Sequence, residues 1–189
     1  LKNFQLIALN MDITPLLLSV KRRPDLWRED TYLRDYPQGP FGQVETIMLR
    51  FPEKRVFELE ADLERYKGSV EQHFCIDYPA YKILTDARPL VMWLAARVGA
   101  EQIGRCFINK VGPGGRIFPH IDTPAHTAFY SRFHIVLESN DDALFRAGDE
   151  MINMRAGEVY WFDNKQEHEV NNNGTTDRIH LVCDMRCAQ

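Results

Sequence analysis

Arg105-Cys106-Phe107-Ile108-Asn109-Lys110-Val111, closed by Gly112-Pro113-Gly114-Gly115, reads as a β-strand running into a tight turn. From here to the end of the chain the same texture repeats. Arg132–Leu137, Ala143–Arg146, Glu150–Met154, Glu158–Phe162, Glu167–Asn171 and Arg178–Asp184 are short strand-like runs. Turn residues such as Ser139-Asn140-Asp141-Asp142 and Asn172-Asn173-Gly174 separate them. Short strands spaced in this way predict a sandwich, barrel or jelly roll. In Arg132–Leu137 the alternation puts Phe133, Ile135 and Leu137 on an apolar face and Arg132, His134 and Val136 on the other.

Upstream of residue 100 the pattern is mixed. Asp12-Ile13-Thr14-Pro15 begins a helix that stops before Pro24, and Val44–Phe51 reads as a strand. Pro89–Val98 reads as an amphipathic helix with Pro in its first turn and Gly99 just past its end. The expectation is one domain over residues 1–189, mainly β with N-terminal helices. Residues 1–100 form a helical and strand buttress, and residues 101–189 form a double-stranded, cupin-like jelly-roll core that binds metal.

Composition narrows the function classes. Of 189 residues, 44% are apolar and 26% charged, which is globular composition and excludes wholesale disorder. Lys and Arg total 23 against 27 Asp and Glu, a net charge of −4, which argues against nucleic acid or an anionic membrane as partner. Apolar runs such as Pro15–Val20 and Val91–Ala96 are too short to span a bilayer, and no signal-peptide pattern opens the chain. The four cysteines show no Cys-x-x-Cys pair and no zinc-finger spacing. A cytoplasmic location is expected. The pattern specifies no oligomeric state.

The chemistry gathers between residues 109 and 184. In an extended segment, residues two apart share a face, so His120 and Asp122 of His120-Ile121-Asp122 offer a nitrogen and a carboxylate oxygen to one point. His168, in Glu167-His168-Glu169-Val170, is the natural third donor. Two histidines and one carboxylate on one side of a metal leave the opposite positions open, as in non-haem Fe(II) oxygenases. Arg178 lies ten residues past His168, across the Asn-Asn-Gly turn. A strand, a turn and a returning strand would bring its guanidinium back beside the metal. Its planar fork matches a carboxylate, and the distal carboxylate of 2-oxoglutarate, a metal-chelating cosubstrate, needs such a partner. Arg132 and His134, beside Val136, are costly if buried without an anion; a bound carboxylate supplies one.

Other histidines carry weaker readings. His73 lies in a mixed polar segment and is expected at the surface. His126 falls in the loop Thr123–Tyr130, where it is either exposed or a substrate contact. His180 shares a strand face with Arg178 and is expected either as a group supporting the site or as a core histidine. Substrate contacts are expected upstream, with Trp27 and Arg50 as candidates beside His126.

From Asn109 to Asp184 the chain resembles the aspartyl/asparaginyl β-hydroxylases, a family of Fe(II)/2-oxoglutarate-dependent oxygenases. The resemblance is carried by Gly114-Gly115-x-x-x-Pro119-His120, Arg132-Phe133-His134, Gly157-Glu158, Phe162-Asp163-Asn164, His168-Glu169-Val170, and Arg178 with Asp184. It implies a double-stranded β-helix core and iron on His120 and His168. It further implies Arg178 on the far carboxylate of 2-oxoglutarate, with Arg132, His134 and Asn109 as additional cosubstrate contacts. The best-known animal members lack an acid at the position of Asp122, which this chain keeps and which is expected as a third ligand. The implied function is a dioxygenase that hydroxylates an unactivated C–H bond. The substrate would be an Asp, an Asn or another amino-acid-like group of a small molecule or peptide. Fe(II), 2-oxoglutarate and O2 are required, and succinate and CO2 are released. The alternative is a non-enzymatic, cupin-like sensor of metal or carboxylate.

Overall fold

The computed structural model describes residues 1–188. In chain order its elements are β1 (Phe4–Ala8), α1 (Thr14–Lys21), α2 (Tyr32–Asp35), β2 (Val44–Pro52), α3 (Glu60–Lys67) and β3 (Cys75–Asp77). There follow α4 (Pro79–Ile83), α5 (Ala87–Val98), β4 (Ala100–Val111), β5 (Arg116–His120), α6 (Pro124–Phe129) and β6 (Ser131–Glu138). The chain ends with β7 (Ala143–Ala147), β8 (Glu150–Asn153), β9 (Val159–Phe162), β10 (His168–Asn172) and β11 (Arg178–Cys187). Among the described residues no helix is long and apolar enough to cross a membrane.

The strands form two antiparallel sheets facing each other, a double-stranded β-helix. The larger runs in the order β1-β9-β6-β11-β4-β2-β3 and the smaller in the order β5-β10-β7-β8. The first hundred residues are therefore not only a buttress, since β1, β2 and β3 complete both edges of the larger sheet.

Period-2 alternation sorts the larger sheet into two faces. Ile47 and Leu49 of β2, Cys106 and Ile108 of β4, Phe133, Ile135 and Leu137 of β6, and Ile179, Leu181 and Cys183 of β11 pack against the helical layer. That layer contributes Leu16 and Val20 of α1 and Leu90, Val91 and Leu94 of α5. Burying a Leu, Val or Ile side chain stabilises by about 1.5–3 kcal/mol, so this apolar stripe anchors the helices. The Pro89–Val98 helix begins two residues earlier than its sequence pattern predicts and ends on Gly99, whose φ of +64° suits glycine at a helix C-terminus.

The opposite face looks into the space between the sheets. Val44, Val111, Val136, Phe145, Phe162 and Val170 form a second, smaller apolar cluster there. The inward positions of β4, β6 and β11 also carry Asn109, Arg132, His134, Arg178, His180 and Asp184, all buried.

Two crossovers shape this interior. The Gly112–Gly115 turn carries the chain from β4 in the larger sheet to β5 in the smaller, with Gly114 at φ +72°. The segment after β10 carries it back to β11. Asn172, fully buried, ties the two together: its Nδ2 donates to the Val111 carbonyl at 2.9 Å, and its own carbonyl accepts from the Gly114 N–H at 2.8 Å. The expected return of β11 alongside β10 does not occur. β11 pairs with β4 and β6 in the larger sheet, so Arg178 approaches the site from across the sandwich.

Candidate metal and cosubstrate site

His120 ends β5 and His168 begins β10, and the antiparallel register sets them directly opposite each other. Their rings lie 4.2 Å apart, centroid to centroid. Each imidazole is fixed by its own backbone: Nδ1 of His120 donates to the Phe118 carbonyl at 2.8 Å, and Nδ1 of His168 to the Gln166 carbonyl at 2.9 Å. A carbonyl only accepts, so the proton sits on Nδ1 and Nε2 is left with its lone pair. Burial holds both rings neutral, lowering His120 and pushing His168 down to about 4. Nε2 of His120 is buried and has no partner.

Asp122 lies just beyond β5, with Oδ1 3.9 Å from Nε2 of His120. Ligand atoms of His120, Asp122 and His168 fall within 4.8 Å of one another. Oδ2 of Asp122 takes an ion pair from Arg132 Nη1 at 2.7 Å and a hydrogen bond from Asn164 Nδ2 at 3.0 Å. Burial would raise this carboxyl, but Arg132, then His168 and Asn164, hold it below its ordinary value. Two neutral imidazole nitrogens with free lone pairs and one ionised carboxylate oxygen are the donor set of a divalent first-row metal. The residues present fit Fe(II).

Arg178 is the second feature. It is 2% exposed and makes no ion pair among the described residues. Nη2 donates to Nδ1 of His180 at 3.1 Å, while Nη1 has no partner. Burial without a counter-anion pushes its pKa down to about 9. His134 extends the group: its Nδ1 lies 3.2 Å from the same His180 nitrogen, which accepts from both, so His134 carries its proton on Nδ1. Burial, then the Arg178 charge, holds His134 and His180 well below the ordinary histidine value. Asn109 gives its Oδ1 to the Thr46 hydroxyl at 2.8 Å, which sets the direction of its amide.

Asn109, Arg132, His134, His120 and His168 line one cavity, walled by Phe41, Phe107, Phe145 and Phe162. Its free space is about 30 Å³, room for one water. Phe41 stands edge-on to His120 with centroids 5.5 Å apart, and Phe145 lies 5.7 Å from the Arg178 guanidinium.

The remaining candidates have other partners. Arg132 is not an unpaired cation awaiting a cosubstrate, because it lies between Asp122 and Asp184 and pairs with both. His126 is neither exposed nor turned to the cavity: it sits on α6, 3% exposed, with Nε2 2.9 Å from Asp184 Oδ2. His73 is likewise buried, stacked on Phe129 with centroids 4.2 Å apart. Trp27 belongs to the core beneath the helices, with the Lys110 ammonium 4.7 Å above its ring. Arg50 pairs with Asp77 and donates to the Cys75 carbonyl at 3.1 Å across the β2–β3 edge. Local polarity misplaced these side chains because their partners lie far off in sequence: Asp184 for His126, Phe129 for His73, Asp77 for Arg50 and Lys110 for Trp27. Thr46 and Phe41 escaped the sequence reading, and Asn164 entered it only within the Phe162-Asp163-Asn164 motif. Asp184 entered it only as part of a motif, although its parity with Arg178 and His180 marks the inward face.

A family model described as aspartyl/asparaginyl β-hydroxylase matches residues 70–187. No curated protein matches the chain. Among solved structures, a viral collagen prolyl hydroxylase of Paramecium bursaria Chlorella virus-1, in complex with 2-oxoglutarate, is similar at 8% identity. That match covers 99% of this chain and 97% of the other, with a TM-score of 0.51. A prolyl-4-hydroxylase of Pseudomonas putida is similar at 13% identity over 99% and 94% of the two chains, with a TM-score of 0.50. These two matches share the fold.

Proposed function

Since the chain belongs to the aspartyl/asparaginyl β-hydroxylase family, we propose that it is an Fe(II)- and 2-oxoglutarate-dependent oxygenase that hydroxylates an unactivated C–H bond. His120, Asp122 and His168 hold the iron. Bound there with 2-oxoglutarate and dioxygen, iron supplies the oxidising power for oxygen insertion, with succinate and carbon dioxide released.

The observation that carries this reading is the pairing of a His-Asp-His donor set with Arg178, a buried guanidinium that has no anion of its own. Such a charge is costly unless a carboxylate is supplied, and the distal carboxylate of a 2-oxo diacid supplies it bidentately. His180 orients Arg178 through Nη2 and leaves Nη1 for the ligand. Asn109 and His134, beside it on the same face, contribute a fixed amide and a neutral imidazole. The cavity is small, so seating a five-carbon diacid displaces Phe145, whose ring lies against Arg178. Phe41, Phe107 and Phe162 then exclude water from the reacting centre.

The substrate class is an Asp, an Asn or another amino-acid-like group, free or in a peptide. The prolyl hydroxylases among the structural neighbours add prolyl peptides to the panel. The whole chain acts as one domain, with β2 and the segment before it forming one wall of the cleft. Succinate release from 2-oxoglutarate with ferrous iron tests the reading: turnover stimulated by a member of the panel supports it. Absence of both coupled and uncoupled turnover overturns it.

A further inference from the structure

Behind Asp122 runs a chain of buried charge that the iron and cosubstrate assignments do not use. Asp184 on β11 is fully buried and stands directly opposite Arg132 on β6 in the strand register. Nε and Nη2 of Arg132 donate to its two oxygens at 2.7 and 3.1 Å. Nε2 of His126 lies 2.9 Å from Asp184 Oδ2, closing the other side of the carboxylate, and α6 carries that histidine. The last guanidinium nitrogen, Nη1, reaches Oδ2 of Asp122 at 2.7 Å. One rigid fork therefore joins two carboxylates, one belonging to the donor set and one remote from it.

This arrangement has a geometric and an electrostatic consequence. Arg132 and Asn164 both hold Oδ2 of Asp122. Oδ1 is thereby left as the atom facing His120, and the carboxylate is set to give a cation one oxygen. Charge arithmetic supplies the rest. Asp122 and Arg132 alone sum to zero, which would leave a divalent cation no net negative charge to meet. Adding Asp184 makes the sum one unit more negative. The strength of such interactions rises in the low dielectric of a buried site, and all three side chains are largely buried.

We propose that Asp184 is a positioning residue for the metal site: held by His126 and acting through Arg132, it fixes Asp122 as a one-oxygen ligand and returns to it the negative charge that Arg132 cancels. The proposal rests on the reading of His120, Asp122 and His168 as metal ligands, and its test separates the two. Mn(II) is titrated into purified protein and the free ion followed by electron paramagnetic resonance, for wild type, Asp184→Asn, Asp122→Ala and the double variant. Groups that orient metal ligands typically contribute 10–100-fold in affinity, so Asp184→Asn is expected to weaken Mn(II) binding by about that factor. Because it acts largely through Asp122, it is expected to weaken binding by a smaller factor once Asp122 is gone, the remainder being the charge of Arg132 left uncompensated.

A merely structural Asp184 lowers the melting temperature of the metal-free protein and leaves Mn(II) affinity of the folded fraction at the wild-type value. That result overturns the proposal, as does an equal loss in the Asp122→Ala background. Wild-type affinity in Asp122→Ala instead overturns the ligand reading beneath it. Should Asp184→Asn fail to fold, His126→Phe, which keeps ring packing and removes the contact with Asp184, carries the same cycle. Its expected loss is smaller and follows the same dependence on Asp122.

Discussion

Arg132 and Arg178 occupy equivalent kinds of position, inward-facing on neighbouring strands of the larger sheet and almost wholly buried, yet their surroundings are opposite. Arg132 is saturated by Asp122 and Asp184, and their charges raise it above the ordinary arginine value against the effect of burial. Arg178 has a neutral histidine, an aromatic face and an unused nitrogen. A buried charge whose partners come from the chain holds the protein and its ligands in place. A buried charge with no partner is held for a molecule that arrives later. The two arginines thus divide the interior into a self-neutralised end and an end that, on the proposed function, the cosubstrate completes.

The widest separation between them is expected in activity. Arg178→Met removes the anchor for a distal carboxylate, and losing one partner of a buried charge pair costs about 2–5 kcal/mol, so 2-oxoglutarate-dependent turnover falls by about 30-fold to beyond 1,000-fold. The melting temperature of the ligand-free protein stays level or rises, because an uncompensated charge has left the core. Succinate assays and thermal melts on one preparation check both halves. A sharp loss of stability would erase the contrast.

Arg132→Met is expected to do the reverse. It removes the cation shared by two buried carboxylates, leaving Asp122 with Asn164 and Asp184 with His126, a loss of about 3–5 kcal/mol, read from urea unfolding. A variant as stable as wild type would show that Arg132 is not the saturated partner of the pair.

Acid separates the two ends next. Burial would raise Asp184, but Arg132 and then His126 outweigh it and hold the carboxyl below its ordinary 3.8. A carboxyl depressed by folding contributes stability that is full above its unfolded value and lost as pH falls through the folded one. Unfolding free energy is therefore expected to fall as pH drops below about 4, where the unfolded carboxyl takes up its proton and the folded one does not. Asp184→Asn flattens that limb and Arg178→Met leaves it unchanged; equal acid limbs in wild type and Asp184→Asn would contradict the assignment.

The smallest effect is at the edge of the cosubstrate end. Thr46→Val releases the Asn109 amide from its 2.8 Å hydrogen bond. A single neutral hydrogen bond is worth about 1 kcal/mol, so KM for 2-oxoglutarate rises about fivefold with kcat little changed. A drop in kcat at constant KM would place Asn109 in the reaction rather than in binding.

Much of this was legible in one dimension. The alternation of Arg132–Leu137 names the core face of β6 and, on the other face, the residues between the sheets. The His-x-Asp spacing brings two donors together, and the late histidine completes them. The strand-rich second half and the helix ending at Gly99 also follow from periodicity and turn chemistry. Local composition failed where burial is decided at a distance. His73 is covered by Phe129 and His126 is held by Asp184, while Trp27 and Arg50 have partners on β4 and β3. The fate of β11 was equally invisible, since a turn after β10 does not say which sheet the chain joins next.

The sequence by itself determined the class of fold, the family and the candidate donor residues, because strand period, turn residues and ligand types are local properties of the chain. Only the tertiary structure decided that Arg132 is consumed by two carboxylates and Arg178 by none. That difference depends on which side chains cross-strand register and the sheet-to-sheet crossovers bring within hydrogen-bond reach. Register pairs residues tens of positions apart, and in a buried interior a few ångströms separate a neutralised charge from one that waits for its ligand.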